Sequence, residues 1–397
     1  MRNEAATGGP GRYCALNGLP EDEDLQVGMD FRLPRYRREV FKRFYEFHLR
    51  YRSHPGAVYY VLPHLRDHYG WDRDTALWFA YINGNTQNPV TSWLIWSEFP
   101  RLQDTAGGRL ERWFAEPTTY GRLVFDTDRR HHKKAFAEAV ARYRADMDAA
   151  GGQEAFWGGL CAAADEEENF RRCWGRVLSG FHHFGRLSTF SYLEYLRILG
   201  LPVDCDQLFL EDMDGSKSHR NGLCKVLGRD DLDWHSSNPS FEGYSAPVLE
   251  WLKAEGAQLL GECRERFKGA SFARDVSYFT LESTLCTYKG WHRENRRYAN
   301  VYNDMFHDRI RKAEENWGDR FGLFWESRRA ALPAHLRLED NPLDEGVKPV
   351  KQNHYRTTGQ VIMMDREWPC FKNAYNDARP PGGAPLESES GSVLDLL

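Results

Sequence analysis

The 397-residue sequence has no run of about 18 apolar residues, so no membrane-spanning helix is expected. Its first stretch, MRNEAATGGPGRYCALNG, lacks the apolar centre of a secretory signal. The eight cysteines (Cys14, Cys161, Cys173, Cys205, Cys224, Cys263, Cys286 and Cys370) never form a C-x-x-C pair. That spacing argues against a zinc ribbon or an iron–sulfur cluster and predicts reduced thiols in a cytoplasmic protein. No G-x-S-x-G, no H-E-x-x-H and no G-x-G-x-x-G following a strand occurs. The adjacent histidines at 131–132 and 182–183 point to different helix faces, and no structural metal is expected. β-branched alternation is scarce, strand–turn–helix units do not recur and there is no internal repeat.

What the sequence has in quantity is aromatic side chains, with 13 Trp, 19 Tyr and 23 Phe, enough for a large core. They recur at three- and four-residue spacing, as at Val40, Phe41, Phe44, Tyr45, Phe47, His48 and Tyr51. Helices are predicted at about 38–52, 72–82, 91–99, 131–149, 166–181, 188–199, 218–227, 245–267, 276–289 and 296–316. The class is therefore all-α, a single large helical domain. The division expected is a flexible segment 1–27, a catalytic domain 28–335, a packed extension 336–375 and a flexible tail 376–397. The net charge is −5, yet basic runs stand at 32–52, 129–134 (RRHHKK) and 289–297. Such runs can hold phosphates on an acidic protein, or be ordinary solvated helix faces.

Four stretches carry candidate chemistry. In YINGNTQNPVTSW (81–93), the amides Asn83, Asn85, Gln87 and Asn88 stand between aromatic helices. Some of them serve as helix caps in the structural reading. The others form a polar pocket floor suited to a flat, hydrogen-bonding base, with Asn85 and Gln87 the expected contacts. In FHHFGRLSTFSYLEYL (181–196), Arg186 stands at a helix start capped by Ser188, a position suited to an anion. In DGSKSHRNGL (214–223), Asp214, Lys217, Ser218, His219 and Arg220 crowd a helix opening, without the frame of a P-loop or a calcium loop. Lastly, Glu282, Cys286 and Lys289 share one helix face, as either a buried ion pair or an acid–base couple, with Arg296 and Arg297 following.

INGNTQNPVTS, DGSKSHRNGL and the ESTLC.YK....RRY helix resemble a phage-associated family over about residues 30–330. It comprises the α-glutamyl/putrescinyl thymine pyrophosphorylases, with amino-acid:DNA transferases among them. The resemblance implies a helical fold of the DNA-glycosylase type, although neither HHFGRLS nor ILGLPVD makes a convincing helix–hairpin–helix. It implies a host-cytoplasmic, phage-encoded transferase. The substrates would be double-stranded DNA carrying pyrophosphorylated 5-hydroxymethyluracil and a free amino acid or polyamine, with no membrane partner. The amine would displace pyrophosphate from a flipped base. Asn83, Asn85, Gln87 and Asn88 would then read the base, Arg186, Lys217, Ser218 and Arg220 would hold the leaving group, and His219 would be a further substrate contact. Glu282 or Asp214 would accept the proton, and Lys289, Arg296 or Arg297 would hold an amino-acid carboxylate. No cofactor is implied, although Mg2+ is a natural companion of pyrophosphate. The competing readings are a glycosylase or lyase acting on a modified base, and a non-catalytic helical DNA-binding module.

Overall fold

The computed structural model describes residues 34–126, 129–212, 215–234, 243–292 and 300–340. Helix α1 (Pro34–Arg50) leads to α2 (Val58–Tyr69), α3 (Arg73–Thr86) and α4 (Pro89–Glu98). Short α5 (Arg109–Ala115) and α6 (Pro117–Arg122) precede α7 (His132–Ala149), α8 (Gln153–Leu160), α9 (Glu166–Gly180) and α10 (Arg186–Ile198). Then come α11 (Lys217–Val226), α12 (Ala246–Arg266), α13 (Tyr278–Trp291), α14 (Val301–Trp317) and α15 (Gly322–Ala331). No strand occurs among the described residues, and the class is all-α as expected.

Local chemistry sets these boundaries. The Asp72 side chain accepts the Thr75 backbone N–H to start α3, and Asp165 accepts that of Glu167 to start α9. Three glutamates follow Asp165 in the first turn, where the helix dipole favours negative charge. Helices 58–69, 109–122, 153–160 and 322–331 add to those predicted. Helix α2 carries Pro63 internally, a residue that reads as a stop in sequence. Two expected helix starts differ. Against a helix expected from about 91, Asn88 caps α4 so that it opens at Pro89, and against a Ser188 cap α10 begins at Arg186, which leaves Ser188 buried inside it.

Two apolar cores form. One gathers Trp78, Tyr81, Trp157 and Tyr192 from α3, α8 and α10 with Phe184 from the turn before α10, and its Tyr81 and Tyr143 rings stack at 3.7 Å. The other gathers Phe41, Tyr45, Leu223, Leu260 and Tyr288 from α1, α11, α12 and α13. Each such side chain contributes roughly 2–3 kcal/mol of burial. Helix α13 serves both cores, with Phe279 in the first and Leu281 and Leu285 in the second.

The tightest helix crossing is α11 against α13. A Cβ on Gly222 would lie 2.1 Å from the Leu285 carbonyl oxygen, so only glycine permits the approach. Elsewhere α1 is latched to α12 by Arg38 with Glu255 and Glu262, and by Lys42 with Glu262. Arg37 pairs with Asp230 and Arg50 with Glu46. The basic run at 32–52 is thus largely neutralised within the fold. Leu336 and Leu338 pack into the second core. The expected segments 1–27 and 376–397, and the extension beyond residue 340, lie outside the described residues.

Candidate functional site

The polar cluster lies where α10, α11 and α13 meet between the two cores. His219, on the first turn of α11, is fully buried, and its Nε2 lies 2.7 Å from the Leu208 carbonyl oxygen. A carbonyl only accepts, so Nε2 carries the hydrogen. On the other side Nδ1 lies 2.9 Å from Glu282 Oε1, an ion-pair contact off the line of a strong hydrogen bond. Burial pushes the Glu282 carboxyl up, but His219, Arg186 and Lys289 outweigh it and hold the group below the usual carboxylate range. Glu282, its side chain 13% exposed, is therefore a partly buried, charged carboxylate in a cationic niche.

The cations come from three elements. Arg186 opens α10 with Nε 2.9 Å from Asp212 Oδ2, donates to the Gly215 carbonyl, and has a buried Nη1 with no hydrogen-bond partner. Lys289, two turns after Glu282 on α13, donates to Ser218 Oγ at 3.0 Å. Lys217 places its ammonium 4.5 Å from the Trp234 ring centroid, a cation–π contact on a partly open surface. Arg220 is different. It is fully buried, donates to the carbonyls of Leu210 and Asp212 at 2.9 and 3.0 Å, and stacks over Tyr244. It fixes loop 208–212 in place of the expected phosphate contact.

The amide stretch also differs from expectation. Helix α3 continues through Thr86, and the chain turns only at Gln87, which takes the left-handed conformation with φ 49°. Asn83, Asn85 and Asn88 are 0%, 1% and 3% exposed. Asn88 accepts from the Val90 and Thr91 amides and donates to the Val124 carbonyl. Asn83 Oδ1 accepts from Ser92 Oγ, which also bonds Thr86 Oγ1. Asn85 Nδ2 donates to the Tyr81 carbonyl. Between them Gly84 abuts Tyr192 and Phe184 on the α10 side. The expected open pocket floor is thus a buried polar knot joining α3 to α4, with only Gln87 partly open. Asn83 Nδ2 and Asn85 Oδ1 remain buried without partners.

Sequence reasoning missed a second carboxyl. Glu194 on α10 is buried and accepts a 2.9 Å hydrogen bond from Tyr59 Oη. Burial pushes its carboxyl up to about 8, with the Glu282 charge adding to the rise and the Tyr59 bond opposing it. His54 stands beside Tyr59, ring centroids 4.7 Å apart, and its Nδ1 lies 2.8 Å from Ser283 Oγ. Burial holds this imidazole neutral, its pKa lowered to about 3. Two neighbouring carboxyls, one buried and one partly buried, pushed in opposite directions are the usual signature of divided acid and base roles. A readable signal existed, since Glu194 is the single acid in STFSYLEYL. Asp214, Arg296 and Arg297 lie outside the described residues. No group of three or more His, Cys, Asp or Glu placed to hold a metal ion occurs among the described residues. Nor is any described helix long and apolar enough to cross a membrane.

Fold and site together define an all-α protein with a partly buried carboxylate on a buried imidazole, set among cations. The chain belongs to the amino acid:DNA transferase family, whose model matches residues 56–296, more than half of its length. That span takes in the amide knot, Arg186, the α11 opening and all of α13. It is also similar to a protein of Salmonella phage ViI named serinyltransferase, 27% identical over 303 residues, covering 71% of this chain and 70% of the relative. No solved structure matches the chain significantly.

Proposed function

We propose that the chain joins the amine of an amino acid to the 5-methylene of a pyrophosphate-activated 5-hydroxymethyluracil in DNA. The amine nitrogen attacks the methylene carbon, the carbon–oxygen bond breaks, and pyrophosphate departs with the electron pair. One ammonium proton passes to a base. The observation that carries this reading is the Glu282–His219 pair in its cationic niche. A carboxylate held charged can take the proton, and the neighbouring cations can stabilise the departing oxyanions.

In this reading Arg186, Lys217 and Ser218 face the pyrophosphate, and Lys289 faces the amino-acid carboxylate or the leaving group. Glu282 accepts the proton with His219 as its partner. Glu194, neutral at the working pH and bonded to Tyr59, keeps a second negative charge out of the site. The base must leave the stack to reach such a recess, as in the helical DNA glycosylases whose fold this one is expected to share. Gln87 is the amide of the 83–88 stretch open enough to touch it. Serine is the first amine to try, given the name of the phage relative.

The experiment is nucleoside mass spectrometry of activated duplex DNA incubated with the protein and a pool of amino acids and polyamines, with pyrophosphate release measured in parallel. Amine-dependent release together with an added mass equal to one amine supports the proposal. Abasic sites formed without amine would replace it with base excision, and unaltered DNA would leave only binding.

A further inference from the structure

Of the three basic runs in the sequence, the fold neutralises 32–52, and 293–297 lies outside the described residues. The run 129–134 remains, and the fold brings the second histidine pair to it. The His131 and His132 ring centroids are 4.5 Å apart, His132 and His183 6.1 Å, and His182 and His183 4.1 Å. Arg130, His131, Lys134 and His183 are exposed, and neither Arg130 nor Lys134 has an acidic partner among the described residues. The nearby acids are engaged, Asp126 by Arg309 at 2.8 Å and Glu138 by Arg142 at 2.6 Å.

The local sequence works against its own helix here. Helix α7 starts with no side-chain cap and no acid in its first turn, and it places Lys133 and Lys134 at the positive end of the dipole. Helix α9, by contrast, has an aspartate cap and three glutamates. His132 is 2% exposed and its Nδ1 has no hydrogen-bond partner, a buried polar atom at the centre of the cluster. Departures of this kind from local consistency mark functional surfaces. The chain then runs from His183 through Gly185 to Arg186, three residues on, which faces Glu282.

We infer that the surface of Arg130, His131, Lys134 and His183 is where the phosphate backbone of the DNA duplex docks, leading into the Arg186–Glu282 site. This rests on the proposed function for its choice of polyanion. Phosphates supply the negative charge that α7 lacks at its start, and the exposed cations bind them without reading sequence. The cluster also couples binding to protons. Burial, with Arg129, His183 and Arg130 nearby, holds His131 below the ordinary imidazole range, and burial with Arg129, His131 and His183 does the same to His132. Burial, His183 and Arg142 do the same to His182, with Glu138 opposing. A docked polyanion opposes that field and favours the charged imidazoles, so binding takes up protons and affinity falls as pH rises through their range.

The test is a titration of the full-length protein with a short unmodified duplex, at several salt concentrations and without amine. R130A/K134A is expected to weaken affinity roughly tenfold at low salt and to reduce the slope of log K against log salt by about 2. Activated and unmodified duplexes should be affected equally, and kcat at saturating activated DNA should stay unchanged. A control, R311A/K312A on the exposed side of α14, should bind like the wild type. The proposal is overturned if R130A/K134A leaves affinity and slope unchanged, if the control loses as much, or if only kcat falls. Because this titration needs neither amine nor activated base, it stays readable even if the transfer chemistry proves wrong.

Discussion

Gly222 and Leu285 touch backbone to backbone where α11 crosses α13, and that contact sets His219 within 2.9 Å of Glu282. An added Cβ would meet the Leu285 carbonyl oxygen at 2.1 Å and its carbon at 2.6 Å, and neither belongs to a side chain that can swing aside. Gly222→Ala should therefore cost about 3 kcal/mol or more of stability. Any folded remainder should be inactive, because the helices must part and carry His219 away from Glu282. Urea unfolding with activity measured on the same samples checks this, and an unchanged midpoint would contradict the crossing.

Glu282→Gln keeps the size and hydrogen-bonding capacity of the side chain but removes the charge that accepts a proton. Transfer should slow by a factor on the order of 10² to 10⁴, the usual contribution of a general base. Duplex affinity should stay within about twofold, since backbone contacts carry it. Single-turnover rates at saturating DNA and amine measure the effect. A variant that loses duplex affinity and keeps its rate would remove Glu282 from the chemistry.

The helical class was legible because aromatic periodicity is strong, and the two polar stretches read around Lys217 and Glu282 are ones the fold brings into contact. What stayed illegible was pairing across elements. Nothing in the spacing says that His219 faces Glu282, because that depends on a glycine crossing between segments about 60 residues apart. The polarity of Asn83 and Asn85 was read as exposure, but in the fold it satisfies the junction of α3 and α4 from within. Arg220 reads in sequence as a ligand to an anion because it crowds a helix opening beside Lys217 and Ser218. Loop 208–212 instead closes over it and takes its donors. Glu194 was passed over because one acid in an aromatic helix reads as a surface residue until Tyr59 is known to lie opposite.

Glu194 links the site to pH. Its folded pKa of about 8 lies above the ordinary value of 4.5, so between these the folded chain holds a proton that the unfolded chain has lost. The stability from this group is therefore complete at low pH and drains away as pH rises through about 8, by an amount on the order of a few kcal/mol. Glu194→Gln, which fixes the neutral form, should flatten the fall of Tm between pH 6 and 9. Thermal unfolding of both proteins across that range gives the comparison. Parallel curves would mean that Glu194 is already charged at neutral pH.

Lys217 and Arg220 stand one turn apart on α11 and should respond in opposite ways to truncation. Lys217 is partly open and holds its ammonium over Trp234, so Lys217→Ala should change stability by less than about 1 kcal/mol. It should nonetheless slow pyrophosphate release by roughly 10²-fold if the ammonium meets the leaving group. Arg220→Ala removes a buried guanidinium, taking one donor from the Leu210 carbonyl and leaving the Asp212 carbonyl to the Ser216 amide alone. That should cost about 3 kcal/mol of stability and loosen the Leu208 carbonyl that orients His219. Rates corrected for the folded fraction separate the two effects. If Lys217→Ala lost stability and kept its rate, the ammonium would be a structural clasp on Trp234, and leaving-group stabilisation would fall to Arg186 and Lys289.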